Sequence, residues 1–135
     1  MAFFNWEDKF TVGKKEFDDH HKRLFVLINQ LYEAMHAGKG QEELQKILNN
    51  LFDYTVFHFS SEEKLLLQNG YPEYQKQLAQ HEAFKAKIID YRTKLAKGQI
   101  GLSLQVATFL KDWLLNHILV EDKKYEAFLK AKGLA

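Results

Sequence analysis

The stretch "HFSSEEKLLLQNGYPEYQKQLAQH" (residues 58–81) carries the signals from which the rest of the chain can be read. Its first half sets His58, Glu62 and Leu65 at helical spacing, and its second half does the same with Tyr74, Gln77 and His81. Between them stand Gly70 and Pro72, a glycine just past a last turn with a proline shortly after it, which is a stop signal for a helix. Two helices therefore meet at a short loop. His58 and Glu62 are four residues apart, as are Gln77 and His81, so each pair stacks one turn apart on one face, with about 5–6 Å between Cβ atoms.

The same period extends outward. Upstream, Phe17, His21, Leu24, Phe25, Ile28, Leu31, Tyr32 and Met35 form a stripe that ends at "GKG" (38–40). The second stripe opens with Leu44, Ile47, Leu48, Leu51 and Thr55, and the third continues through Phe84, Ile88, Tyr91 and Leu95 to Gly98. A fourth begins after Gly101, with Ser103 as an N-cap, and runs through Val106, Leu110, Trp113 and His117 to Tyr125 and Phe128. The expected fold is all-α, an up-down-up-down four-helix bundle formed by one domain over residues 1–135, with helices at about 17–37, 41–69, 73–97 and 103–131. Residues 1–16 read as an N-terminal non-helical arm, held to the bundle by Phe3, Phe4, Trp6 and Phe10.

Composition narrows the function. Apolar residues make up 46% of 135, enough for a substantial core. The formal charge is +1, so no basic surplus marks a nucleic-acid partner. No apolar run is long enough to span a bilayer, and no signal peptide opens the chain, so the expected location is the cytoplasm. Cysteine is absent, which excludes disulfides, thiolate ligands and a cysteine nucleophile. Any metal must be held by nitrogen and oxygen.

His21, His58, Glu62, His81 and His117 all fall on stripes that should face the core. One histidine in such a place is most often a hydrogen-bonded core residue. Four helices that each contribute one, with a carboxylate that is costly to bury alone, point instead to a metal centre on the bundle axis. Imidazole and carboxylate suit iron, manganese or zinc. The ferritin-like carboxylate site uses Glu-x-x-His, whereas this chain has His-x-x-x-Glu and more histidine, so that type fits poorly.

Four segments in order carry a family resemblance: "FDDHHKRLFVLIN" (17–29), "HFSSEEKLL" (58–66), "GYPEYQKQLAQHEAF" (70–84) and "WLLNHILVED" (113–122). Together they resemble the motifs of the hemerythrin family, in particular its bacterial members, over nearly the whole chain. The resemblance implies two iron ions (Fe2+/Fe3+) and O2 binding at one of them. His21 and His58 would hold the ion with the open position. His81 and His117 would hold the other, with whatever stands at position 77. Glu62 and Asp122 would bridge the pair together with an oxo or hydroxo group, and Phe25, Trp113 and Ile118 would wall the O2 pocket.

Several positions need separate treatment. His20 stands where the family usually has Gln; His21 fits the stripe, so His20 reads as a polar flank or a partner of the ligands. His36 reads as a helix-end residue. Spacing alone prefers Glu121 over Asp122 as the partner of His117, because five residues turn an ideal helix by about 140°. The family motif selects Asp122, which requires it to reach in from the flank or the helix to be distorted. Gln77 replaces a family histidine. Three readings are open: weak ligation through its oxygen, a position left to water, or an engineered substitution. The expected function is a non-enzymatic, reversible O2 binder for storage, delivery to an O2-consuming enzyme, or sensing. The alternatives are a di-iron oxidase or peroxidase that uses an additional open position, and a metal-binding bundle without O2 chemistry.

Overall fold

The computed structural model describes residues 5–38, 41–98 and 102–134. Four helical rods are present and no strand among the described residues: α1 (Lys15–His36), α2 (Gln41–Gln68), α3 (Tyr74–Ala96), and a fourth rod built from α4 (Leu102–Asn116), a π-helical turn (His117–Asp122) and α5 (Lys123–Ala131). α1 packs on α2 and on α4, and α2 packs on α3, which is the neighbour order of an up-down-up-down bundle. Ser103 lies inside the first turn of α4 rather than ahead of it.

The loop that organises the sequence reading closes as a Schellman motif. The Gly70 N–H donates to the Leu67 carbonyl at 3.2 Å and the Tyr71 N–H to the Leu66 carbonyl at 3.0 Å. Gly70 takes φ of 69°, the left-handed region where a Cβ is strained. Tyr71 is thereby turned under the end of α2 and buried. This corner sets α3 antiparallel to α2 and brings Gln77 and His81 level with Glu62 and His58.

The N-terminal arm is not wholly non-helical. It contains a 3-10 turn at Asp8–Phe10, and α1 starts at Lys15, two residues earlier than the spacing implies. Phe10 and Val12 are buried, and Trp6, Phe10 and Phe25 form a ring cluster with centroids 5.4–5.7 Å apart. Phe3 and Phe4 lie outside the described residues. Asp18 in the first turn of α1 accepts from the Val12 N–H at 2.8 Å and from the Thr11 hydroxyl, while Lys123 donates to the Thr11 carbonyl. The arm thus ties the start of α1 to the start of α5. Removing the Phe10 ring leaves a cavity in this seam. Phe10→Ala is expected to lower stability by about 3–5 kcal/mol in urea unfolding, with helical circular dichroism retained below the transition.

Candidate metal centre

The side chains that the sequence reading singled out converge in one layer across the bundle. His21, His58, Glu62, Gln77, His81, His117 and Asp122 are each at most 2% exposed. His21 comes from α1, His58 and Glu62 from α2, Gln77 and His81 from α3, and His117 and Asp122 from the fourth rod. Ordinary helical spacing explains the first five. Asp122 needs the π turn. There the Lys123 N–H reaches back to the Ile118 carbonyl, five residues away, so the wider turn brings Asp122 under His117. Glu121 is rotated outward, where Lys76 meets it at 3.1 Å and Lys124 at 3.6 Å. The helix is therefore distorted, and Asp122 rather than Glu121 reaches the layer.

Two overlapping clusters have ligand-type atoms within 4.8 Å of one another: His21, His58 and Glu62, and Glu62, His81 and His117. Glu62 belongs to both, with Oε1 2.8 Å from His58 Nε2 and 3.7 Å from His81 Nε2. Asp122 spans the same two groups, with Oδ2 3.3 Å from His21 Nε2 and Oδ1 3.2 Å from His117 Nε2. Gln77 donates from Nε2 to Asp122 Oδ1 at 3.0 Å.

Partners outside this layer orient it. His58 Nδ1 meets His20 Nδ1 at 2.8 Å, His81 Nδ1 meets Glu63 Oε2 at 2.8 Å, and His117 Nδ1 meets Gln80 Oε1 at 2.7 Å. Tyr125 donates its hydroxyl to Glu62 Oε2. Such outer hydrogen bonds keep the proton on Nδ1 and present Nε2 inward, the arrangement metal-binding imidazoles use. His20, expected as a polar flank or a partner of the ligands, is a partner of His58. Glu63, Gln80 and Tyr125 were not singled out as site residues. Glu63 and Gln80 each stand one position from an inward residue, so only the docked rings reveal them. His36 is at the end of α1 and packs on Tyr32.

The residues fit a pair of cations. His21 Nδ1 and Nε2, Glu62 Oε1, Gln77 Oε1 and Asp122 Oδ2 are buried without a hydrogen-bond partner; the short approaches to His58 and His21 lack hydrogen-bond geometry. Unpaired polar atoms of this kind are rare in folded interiors. His81 Nε2 and His117 Nε2 face each other at 3.1 Å. With both Nδ1 protons given outward, two lone pairs oppose each other, and only a positive charge relieves that. In the metal-free chain the Asp122 carboxylate, 3.2 Å from His117 Nε2, favours a proton there. Burial disfavours a charged His117, but Asp122 outweighs it and raises the imidazole above its ordinary value. Burial likewise opposes ionisation of Asp122, yet His117 and His21 hold its carboxyl well below the usual range. Burial, then the neighbouring Asp122 charge, pushes Glu62 up, while burial and His21 push His58 well down. A metal would displace the proton on His117.

An apolar pocket closes over one side of the layer. Leu24, Ile28, Leu51, Thr55, Phe59 and Trp113 are among its walls. They lie within two turns of His21, His58 and His117 on the same end of the bundle. Trp113 lines the pocket, but Phe25 and Ile118 do not. Phe25 is turned to the arm, against Trp6 and Phe10, and Ile118 follows His117 into the π turn. No helix among the described residues is long and apolar enough to cross a membrane.

A family model described as "Hemerythrin HHE cation binding domain" matches residues 12–129. The chain is 33% identical to the bacteriohemerythrin of Methylococcus capsulatus over 97% of its own length and 100% of the relative. It is 30% identical to that of Stenotrophomonas maltophilia over 97% of its own length and 84% of the relative. A crystal structure of a wild-type hemerythrin superposes with a TM-score of 0.86 at 32% identity, covering 93% of this chain and 97% of that one.

Two expectations follow from this geometry. Val120 is exposed in the π turn, and deleting it would place Asp122 four residues after His117 on a regular helix. That deletion is expected to preserve helix content and metal uptake, whereas an alanine inserted after Val120 turns Asp122 away and lowers metal uptake, both read by metal analysis after dialysis. The second concerns acid. His58 and His20 titrate below their ordinary 6.5 in the folded chain. As pH falls past that value the unfolded chain takes up protons the folded chain refuses, so their stabilisation is lost. His117, raised above 6.5, stabilises below that value and offsets part of the loss. Glu62, raised above 4.5, adds to that offset, so two lowered groups oppose two raised ones, and His58→Gln is expected to make the metal-free protein more stable in urea at about pH 5 relative to about pH 7 than the native chain is.

Proposed function

Because the chain belongs to the hemerythrin family, we propose that it is a non-haem di-iron protein that binds O2 reversibly for storage, delivery or sensing. The observation that carries this reading is the pair of histidine and carboxylate clusters that share Glu62 beneath a closed apolar pocket. His21 and His58 would hold one ion, His81 and His117 the other, and Glu62 and Asp122 would span both. When bound, the iron pair supplies the electrons that O2 takes up and returns.

The protein's own part is positioning and exclusion. His20, Glu63 and Gln80 fix the rings of His58, His81 and His117. Phe59 stacks on the His81 ring at 3.8 Å, and Trp113 stacks on His117 at 4.4 Å, so neither imidazole can swing away. The pocket walls are apolar apart from the Trp113 indole N–H and the Thr55 hydroxyl, which is committed to the Leu51 carbonyl at 2.7 Å. Tyr125, the hydroxyl on Glu62, follows His117 in the chain whereas the pocket residues Leu110, Trp113 and Leu114 precede it. A bound O2 would therefore meet no acidic group on the pocket side, which favours release over reduction. An oxidase or peroxidase reading is favoured by one observation, the unpartnered Gln77 oxygen beside the second cluster.

The iron-loaded chain is expected to show a visible charge-transfer band in air that disappears on deoxygenation and returns with O2. A band that never reverses, or one accompanied by steady consumption of O2 with a reductant, would favour the enzyme. Trp113→Ala opens the pocket wall and is expected to shorten the lifetime of the oxygenated form, read from the decay of that band.

A further inference from the structure

We propose that Gln77 is not a ligand but the hydrogen-bond acceptor for a water held on the ion bound by His81 and His117, which gives that ion its own exchangeable position. The proposal rests on the two-ion reading above and deepens it.

The four histidines divide evenly, two to each cluster, with Glu62 common to both and Asp122 reaching both. Two nitrogens and two bridging carboxylate oxygens leave an ion short of a full octahedral shell, and a site of that kind keeps open positions. Gln77 stands beside the second cluster with a side chain that is 1% exposed. Its orientation is dictated by chemistry. An ionised carboxylate only accepts, so the group that meets Asp122 Oδ1 at 3.0 Å must be the amide NH2.

That leaves Oε1 buried and without a partner. A buried amide oxygen in that state is costly, and a donor must come from somewhere. Among the described residues none donates to it. His81 Nδ1 is committed to Glu63, His117 Nδ1 to Gln80 and the Tyr125 hydroxyl to Glu62. Water bound to a cation is a strong donor, because the ion polarises its O–H bonds. The amide would thus bridge, with NH2 on the carboxylate that spans the ions and oxygen on the water of one ion. The exchangeable ligand is of a defined class: water, hydroxide, or another small protic molecule such as hydrogen peroxide that can donate to Oε1. Direct ligation through Oε1 would use a neutral, weak donor.

Anaerobic calorimetric titration with ferrous ion, run on the whole chain, tests this together with a crystal structure of the iron-loaded protein. Gln77→Leu removes the amide but no ligand. It is expected still to bind two ions, with the second weakened on the order of tenfold through loss of the hydrogen bond to Asp122. Gln77→His is expected to tighten the second ion by about tenfold or more and to eliminate the water. The loaded native structure is expected to show an oxygen on that ion within hydrogen-bond distance of Gln77 Oε1. A Gln77→Leu variant that folds yet binds one ion, or a structure with Oε1 bonded to the ion, overturns the proposal and leaves the two-ion reading standing. A native chain that binds fewer than two ions overturns both.

Discussion

Four imidazoles and two carboxylates lie in the centre of this bundle where water cannot reach them. Moving charged or strongly polar groups out of water is expensive unless each finds a partner. Their arrangement does not satisfy them from within the protein: lone pairs face one another across the axis, and several oxygens and nitrogens lack partners. Positive charge is what the layer lacks. Much else in the structure serves to hold these groups in that unsatisfied state. His20, Glu63 and Gln80 pin the rings from outside, and Phe59 and Trp113 pin them from their faces. The aromatic arm and the Schellman corner at Gly70 keep the rods in register so that one layer forms.

Electrostatics inside the layer follow from this. In the metal-free chain His117 is pushed toward its protonated form and Asp122 toward its ionised form, while Glu62 and His58 are pushed toward their neutral forms. A cation would compete with protons at His117 and Glu62, so metal binding strengthens as pH rises. The closed apolar pocket then sits on one side of the layer and the Tyr125 hydroxyl on the other, an asymmetry that separates a dry face from a hydrogen-bonding face.

The helical pattern was legible because it is local. Apolar residues at period 3.6, glycine at the ends of rods and one proline define four rods, and the inward histidines stand out because they break the apolar stripe. His21, His58, Glu62, Gln77 and His81 obey ideal spacing, so the face each one occupies could be read directly. Glu63 and Gln80 could not, because each is a flank residue by helical phase and acts only through a ring contributed by another helix. The resemblance implies Phe25 as a pocket wall, and only packing reveals that its ring meets Trp6 and Phe10 of the arm.

The sequence by itself determined the fold class, the inward histidine layer and the absence of sulfur ligands, since periodicity and composition depend only on neighbours along one chain. Helical spacing could not select Asp122 over Glu121; the family motif did, without the geometry that makes it possible. A regular helix favours Glu121, and only the π turn, stabilised once Lys76 and Lys124 take Glu121 outward and His21, Gln77 and His117 meet Asp122, reverses that choice. The same holds for Gln77. Its place one turn before His81 is a matter of spacing, but the direction of its amide was decided by a carboxylate 45 residues away, brought beside it by packing.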